Sequence, residues 1–331
     1  MSRRARITVL LIAVVVLTAV AGLYNLRAVL LAQQHDPAVP SGKLDLGQPG
    51  QIIFRNTQAG TGFGRVASVP IGHPAAERVV TGLSCDRVYA AAAAAVCLAS
   101  RPGAVPRFTT TLVDRNLQET RTISPPGVPN RARLSSDGRM VAWTAFVTGH
   151  SYAKTGFSTR TSILDLNSEK FYADIETLQI HRDGGRLRAS DLNLWGVTFA
   201  KDGKTFYASA STGGRTYLIE GDVATWEAKT LRENAECPSL SPDGTRLVFK
   251  KRVASDGARP WSLHVLDLST MTEKPLPGSD GIDDQAVWLD DHTVMFAMNR
   301  DGGGTDVWAA NADGTGAPRL LVPDASSPSV T

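Results

Sequence analysis

Four stretches of this chain repeat one pattern: a short apolar strand, an Asp-containing turn, then an alternating apolar strand. They are 132–146 (ARLSSDGRMVAWTAF), 196–210 (GVTFAKDGKTFYASA), 238–252 (PSLSPDGTRLVFKKR) and 286–300 (AVWLDDHTVMFAMNR). The chemistry of the turn explains the pattern. An Asp side chain accepts hydrogen bonds from the backbone just ahead of it, and Gly takes positive φ without strain, so the chain reverses tightly. The turn residues are Asp137 and Gly138, Asp202 and Gly203, Asp243 and Gly244, and Asp290. Their role is structural. A catalytic pair must share one site, whereas equivalent turns of successive repeats are spread around a ring.

A second pair of strands follows each stretch, at 162–175, 216–231, 262–276 and 306–321. One unit is therefore four antiparallel strands in about 40–65 residues, the signature of a propeller blade. Two weaker units precede these. Residues 85–123 supply four strands without the Asp-Gly turn, and 51–81 supply three. The C-terminal Ser327-Pro328-Ser329-Val330 reads like Cys237-Pro238-Ser239-Leu240 and is expected to complete the first blade, removing the open sheet edges. The expected fold is all-β: a six-bladed β-propeller of four-stranded antiparallel blades over 51–331, closed by the C-terminal strand.

Ser241-Pro242-Asp243-Gly244-Thr245-Arg246-Leu247-Val248-Phe249 resembles the repeat of the TolB-like, WD-repeat-like propellers. Asp306-Val307-Trp308 through Asn311-Ala312-Asp313-Gly314-Thr315-Gly316 resembles its outer hairpin. The resemblance covers about 51–331 and implies the fold. It says little about function, because such blades occur in translocation proteins, sensors and peptidase accessory domains. The chain departs from TolB in having an apolar helix, and no separate α/β domain, ahead of the propeller.

Residues 1–6 are a basic flank. Residues 7–26 begin with a charge-free run, Ile7 to Tyr24, which spans about 27 Å as a helix, close to the ~30 Å of a bilayer core. By the positive-inside rule the flank stays cytoplasmic and the body lies outside. The helix is then a single-pass transmembrane signal-anchor, or a signal peptide with a cleavage site at Ala19-Val20-Ala21, in which case the protein is secreted. Residues 27–50 read as a linker. The chain has a net charge of +3. The four arginines of the N-terminal segment account for it, so the body is close to neutral and lacks the concentrated basic surface that nucleic-acid binding needs.

Export permits a disulfide. If CDRVYAAAAAAVC folds as a hairpin centred on Ala91, Cys85 and Cys97 face each other within bonding reach. Cys237 is left as a buried thiol.

Motifs for chemistry are missing. There is no G-x-S-x-G, no phosphate loop and no Cys/His spacing that suits a metal. The carboxylates of 280–284 and 301–306 offer calcium its preferred oxygen donors, without EF-hand spacing; otherwise no cofactor is expected. Binding is the better reading. Loops that enter the innermost strands form one face of a propeller. Here they carry Asp191, Asn193 and Trp195, then Glu233, Asn234 and Glu236, then Asp283, Asp284 and Gln285. If these converge, they form an acidic mouth with Trp195 as a stacking surface, suited to a cationic ligand or basic peptide. The long segments 147–158 and 250–261 are expected on the same face. The leading expectation is a non-catalytic propeller that binds an envelope or other extracytoplasmic protein. The alternatives are a small-molecule sensor and, behind it, a metal-dependent lactonase or hydrolase.

Overall fold

The computed structural model describes residues 2–34, 42–101, 103, 106–147, 158–254 and 260–331. Six sheets stand side by side, five made of strands that follow one another in the chain and one closed by the C-terminal strand, and their innermost strands neighbour one another in a ring. Strands are lettered a to d outward from the axis. Blade 2 contains Arg87–Ala91, Ala94–Arg101, Arg107–Val113 and Glu119–Ile123; blade 3 contains Val128–Leu134, Met140–Val147, Ser158–Asp165 and Phe171–Tyr172. Blade 5 contains Glu236–Leu240, Arg246–Arg252, Trp261–Asp267 and Glu273–Pro275; blade 6 contains Val287–Trp288, Thr293–Asn299, Thr305–Asn311 and Arg319–Val322.

Blade 1 closes the ring. Its strand a is the C-terminal Ala325–Val330, and b to d are Gln51–Asn56, Arg65–Pro70 and Val79–Ser84. Val330 pairs with Ile52 and Ser329 with Ile53, while Ser329 Oγ accepts from Ala90 N of blade 2 at 3.0 Å. Blade 4 departs from the four-stranded plan. Outside Asn193–Phe199, Thr205–Thr212, Arg215–Asp222 and Glu227–Glu233 it carries a further hairpin, Gln179–Arg182 with Gly185–Arg186, whose first strand runs parallel to Glu227–Glu233.

The core lies between blades, so the b strands are buried on both faces. Phe54, Trp143, Phe249 and Phe296 occupy one position in four b strands, and each is at most 2% exposed. At the a–b turns the Asp carboxylates accept backbone N–H groups ahead, as Asp137 does from Arg139 N at 3.0 Å, Asp202 from Lys204 N at 3.0 Å, Asp243 from Thr245 N at 3.0 Å and Asp290 from His292 N at 2.7 Å. Gly138, Gly203 and Gly244 take φ of 72°, 71° and 75° there.

The Cys85–Cys97 disulfide forms, with Cα atoms 5.5 Å apart, but by a different geometry. The hairpin turns on Ala92 and Ala93, both at positive φ, so the residue opposite Cys97 is Val88. Cys85 lies before the strand, in the connection from blade 1. A two-residue turn of this kind fits the twist of its strands better than one centred on a single residue.

The N-terminal helix runs from Arg3 to Gln34. Its stretch from Arg4 to Arg27 is long and apolar enough to cross a membrane, and none of it is buried. Residues 42–50, read above as linker, are fastened to the propeller. Leu46 is 1% exposed and its N–H donates to Arg115 O; Gly42 N donates to Val80 O and Gly50 N to Thr331 O. Asp45 takes Arg115 in a two-pronged pair at 2.6 and 3.1 Å.

Candidate functional site

Alternation of strand direction gives the ring two unlike faces. The a–b and c–d turns lie on one, the turn face. Entries to strands a, together with the b–c connections, lie on the other. Segments 147–158 and 250–261 are b–c connections of blades 3 and 5, and their residues 148–157 and 255–259 lie outside the described residues.

The innermost strands are bulged where they approach the axis. Pairing shifts between Trp195 and Thr198, between Glu236 and Ser239, and between Pro129 and Arg131. Gly196, Cys237 and Ser327 have positive φ. A bulge re-aims the following side chains. A Cβ on Gly196 would lie 2.8 Å from Cys237 Cα, so the close approach of blades 4 and 5 depends on that glycine. Cys237 itself is buried.

Below the mouth, polar groups cross the channel. Arg131 of blade 3 reaches Asp284, at the entry to blade 6, at 2.8 Å, and Arg87 of blade 2 pairs with the same carboxylate. Burial pushes the Asp284 carboxyl up, and the two guanidinium groups outweigh it and hold the group well below the usual range. Gln285 Nε2 donates to Pro238 O at 2.7 Å, and Arg133 donates to Ala286 O at 3.3 Å.

Above this plug lies a cavity of about 290 Å³, lined among others by Phe146, Trp195, Trp261, Glu236, Lys250 and Asp283. It continues outward over Trp195, Glu236 and Trp261 into a groove of about 560 Å³ between blades 4 and 5, walled by Asn193, Glu233, Asn234, Arg215 and Arg252. The structure thus gathers Asn193, Trp195, Glu233, Asn234, Glu236 and Asp283 along one continuous depression. It places Asp284 and Gln285 deeper, in the plug. Asp191 stands at the edge, accepting from Thr212 Oγ1 at 2.5 Å and Gly213 N at 2.8 Å.

The acidic character expected of this mouth is corrected. Asp283 pairs with Lys250 at 2.6 Å, Asp284 with Arg87 and Arg131, and Glu233 with Arg215 at 3.5 Å. Three of the five entering carboxylates thus meet a cation projected from a strand, which loop composition alone does not reveal, while Asp191 and Glu236 accept from neutral donors. Several polar groups are also engaged structurally. Glu236 Oε1 accepts from Trp261 Nε1 at 3.0 Å, Asn193 Oδ1 from Thr159 N at 2.8 Å, and Asn234 exchanges two 3.0 Å bonds with the Arg252 backbone.

Sequence reasoning misses Arg87 and Arg131 and places Lys250 and Trp261 only at the ends of a long loop, whereas both lie in strands. One signal was available for Lys250. It occupies a core-register position in LVFKKR, two residues after Val248, and a charge there needs a buried partner. Of the carboxylates considered for calcium, Asp306 pairs with Arg300, as Asp283 does with Lys250 and Asp284 with Arg87 and Arg131. Among the described residues no three His, Cys, Asp or Glu side chains are grouped so as to hold a metal.

No family model matches the sequence, and no curated protein matches it. Solved structures do. TolB from Acinetobacter baumannii superposes with a TM-score of 0.56 at 15% identity over 85% of this chain. The fold is that of a TolB-like β-propeller. A puromycin-hydrolysing peptidase from Mycobacterium tuberculosis is similar with a TM-score of 0.50 at 12% identity over 83% of this chain. This chain spans 66% of the TolB structure and 43% of the peptidase. At these identities the likeness speaks for the fold alone.

Proposed function

We propose that this chain is a non-catalytic TolB-like propeller, held outside the cytoplasm by its N-terminal helix, that binds a protein or other envelope component through the entry face. The observation that carries this reading is the continuous depression from channel mouth to the groove between blades 4 and 5. It combines two Trp rings with paired charges, the composition of a recognition surface with aromatic anchors and a polar surround. The likeness to TolB supports the propeller fold on which this reading rests. The tether supports the entry face as the binding face, because residues 42–50 are fastened at the turn face, beside Thr331 and the Arg115 turn. The entry face is thereby left open and directed away from the point of attachment. Domain limits follow the same reading: a basic flank 1–6, an anchor 7–26, a connecting segment 27–50 and the propeller from 51.

The enclosed part of the depression favours small-molecule sensing as the second reading, since it is of ligand-pocket size. The test of the first is capture by mild crosslinking of the full chain in native membranes. Wild type is compared with a Glu233→Ala, Arg252→Ala double variant, both of whose side chains are exposed. The expected result is a near-stoichiometric partner that the variant loses without a change in Tm. Equal recovery by the variant, or no partner at all, contradicts the reading.

A further inference from the structure

Lys250 is the anomaly of the cavity wall. Its side chain is 3% exposed, yet the carboxylate that neutralises it, Asp283, is 63% exposed. The two halves of this pair therefore have unlike solvation. An ammonium buried in the wall needs an anion, while an exposed carboxylate is stable in water without it. The loop that carries Asp283 does not depend on that carboxylate for its position, since Lys250 Nζ also donates to Asp283 O at 3.3 Å. Asp283 O accepts from Arg131 Nη2 at 3.0 Å, Asp284 holds Arg131 and Arg87, and Gln285 holds Pro238 O. The Asp283 side chain can therefore leave Lys250 while its backbone stays in place.

Three aromatic side chains, Phe146, Trp195 and Trp261, line the cavity around Lys250 beside the polar Asn130, Thr144, Thr159 and Glu236, the last of which accepts from Trp261 Nε1. Lys250 Nζ lies 4.4 Å from the centre of the Trp261 ring. A volume of about 290 Å³ accommodates one bulky residue or a small organic acid, and is at the small end for ligand pockets.

We infer that the cavity is a carboxylate-binding pocket in which Asp283 occupies Lys250 as an internal substitute, to be displaced by the carboxylate of a ligand with an apolar or aromatic body. This rests on the entry face being the binding face and names the chemistry it recognises. The charge preference is opposite to the cationic one that the loop carboxylates suggest in the sequence. Lys250 takes the ligand carboxylate, the Trp195, Trp261 and Phe146 walls take its body, and Asp283 turns to water. No covalent step is involved. A peptide C-terminus and a free organic acid share this chemistry.

The test is calorimetric titration of the full chain with N-acetyl-L-phenylalanine and with the peptide acetyl-Ala-Ala-Phe, each as free acid and as amide. The acids bind, and the amides bind at least tenfold more weakly. Asp283→Asn, which removes the internal competitor's charge at an exposed position, tightens the acids at least fivefold and leaves the amides unchanged. Lys250→Met removes the preference for acid over amide; should that variant fail to fold, Asp283→Asn still decides. Tighter binding of the peptide acid than of the single residue assigns the pocket to peptide C-termini, and the reverse order to free acids. Equal binding of acid and amide, no binding of any of the four, or weaker acid binding in Asp283→Asn overturns the inference. Partner capture by the entry face, scored separately with the Glu233 and Arg252 variant, tells that failure apart from failure of the broader reading.

Discussion

Glu176 lies in a single turn of 3-10 helix, Ile175–Thr177, beside blade 4. Its Oε1 is buried with no hydrogen-bond partner among the described residues. Burial, with Asp174 adding repulsion, pushes its pKa up to about 8. The folded protein thus holds a proton that the unfolded chain releases near pH 4.5. Stability from this group is fully present below the unfolded value and is lost as pH rises towards 8. His264 acts with the opposite sign. Burial lowers its pKa, so its contribution improves as pH rises to about 6.5. The difference between wild type and Glu176→Gln isolates the first effect. Urea denaturation at pH 5 and pH 8 should show the variant gaining at least ~1 kcal/mol relative to wild type at pH 8, and an equal difference at both values contradicts the assignment. Gly196 is a second point of strain. With φ of 69° and Cys237 Cα in the way of a Cβ, Gly196→Ala should cost about 2 kcal/mol. An unchanged denaturation midpoint would show that the bulge tolerates a side chain.

At the level of strands, closure by Ala325–Val330 is the contact that makes a ring of an open row of sheets. Deleting 324–331 exposes the edge of Gln51–Asn56 and removes Ser329 from Ala90, and thermal unfolding should shift sharply downward. The disulfide closes a segment with a sequence separation of 12, for which chain entropy suggests about 3 kcal/mol. A Cys85→Ser, Cys97→Ser variant should lose that much in chemical denaturation, and an unchanged midpoint would remove the bond from the account. Most of this architecture was legible. The Asp turns, three of them Asp-Gly, marked four a–b hairpins, and the likeness of Ser327-Pro328-Ser329 to Cys237-Pro238-Ser239 located the closing strand, because inner strands that bulge alike carry similar residues. The extra hairpin of blade 4 was not legible. Its segment HRDGGRLR is polar and exposed at nearly every position, so it lacks the alternation that identifies a strand. The placing of the loop residues on the entry face was legible, and the cations around them were not. Loop residues can be read off in sequence, whereas the cations that neutralise them come from Arg87, Arg131 and Lys250 in strands distant along the chain.

Taken as a whole, the molecule presents its mouth on one side and its tether on the other. Seven residues separate Gln34 from Gly42, a reach of about 25 Å when extended at ~3.5 Å per residue. On the proposed reading of the helix as an anchor, a chain fastened at the turn face should hold that face nearer the membrane. In proteoliposomes carrying a lipid acceptor dye, energy transfer from a donor at residue 313 should exceed that from a donor at 252, and the reverse order would place the mouth against the bilayer. The central claim is that the entry face does the binding. Its most direct measurement is site-specific photo-crosslinking in native membranes, with the reactive residue at 233 or 252 on the entry face and at 313 on the turn face. The account predicts one discrete adduct from 233 and 252 and none from 313. An adduct from 313 alone, or from no position, would contradict it.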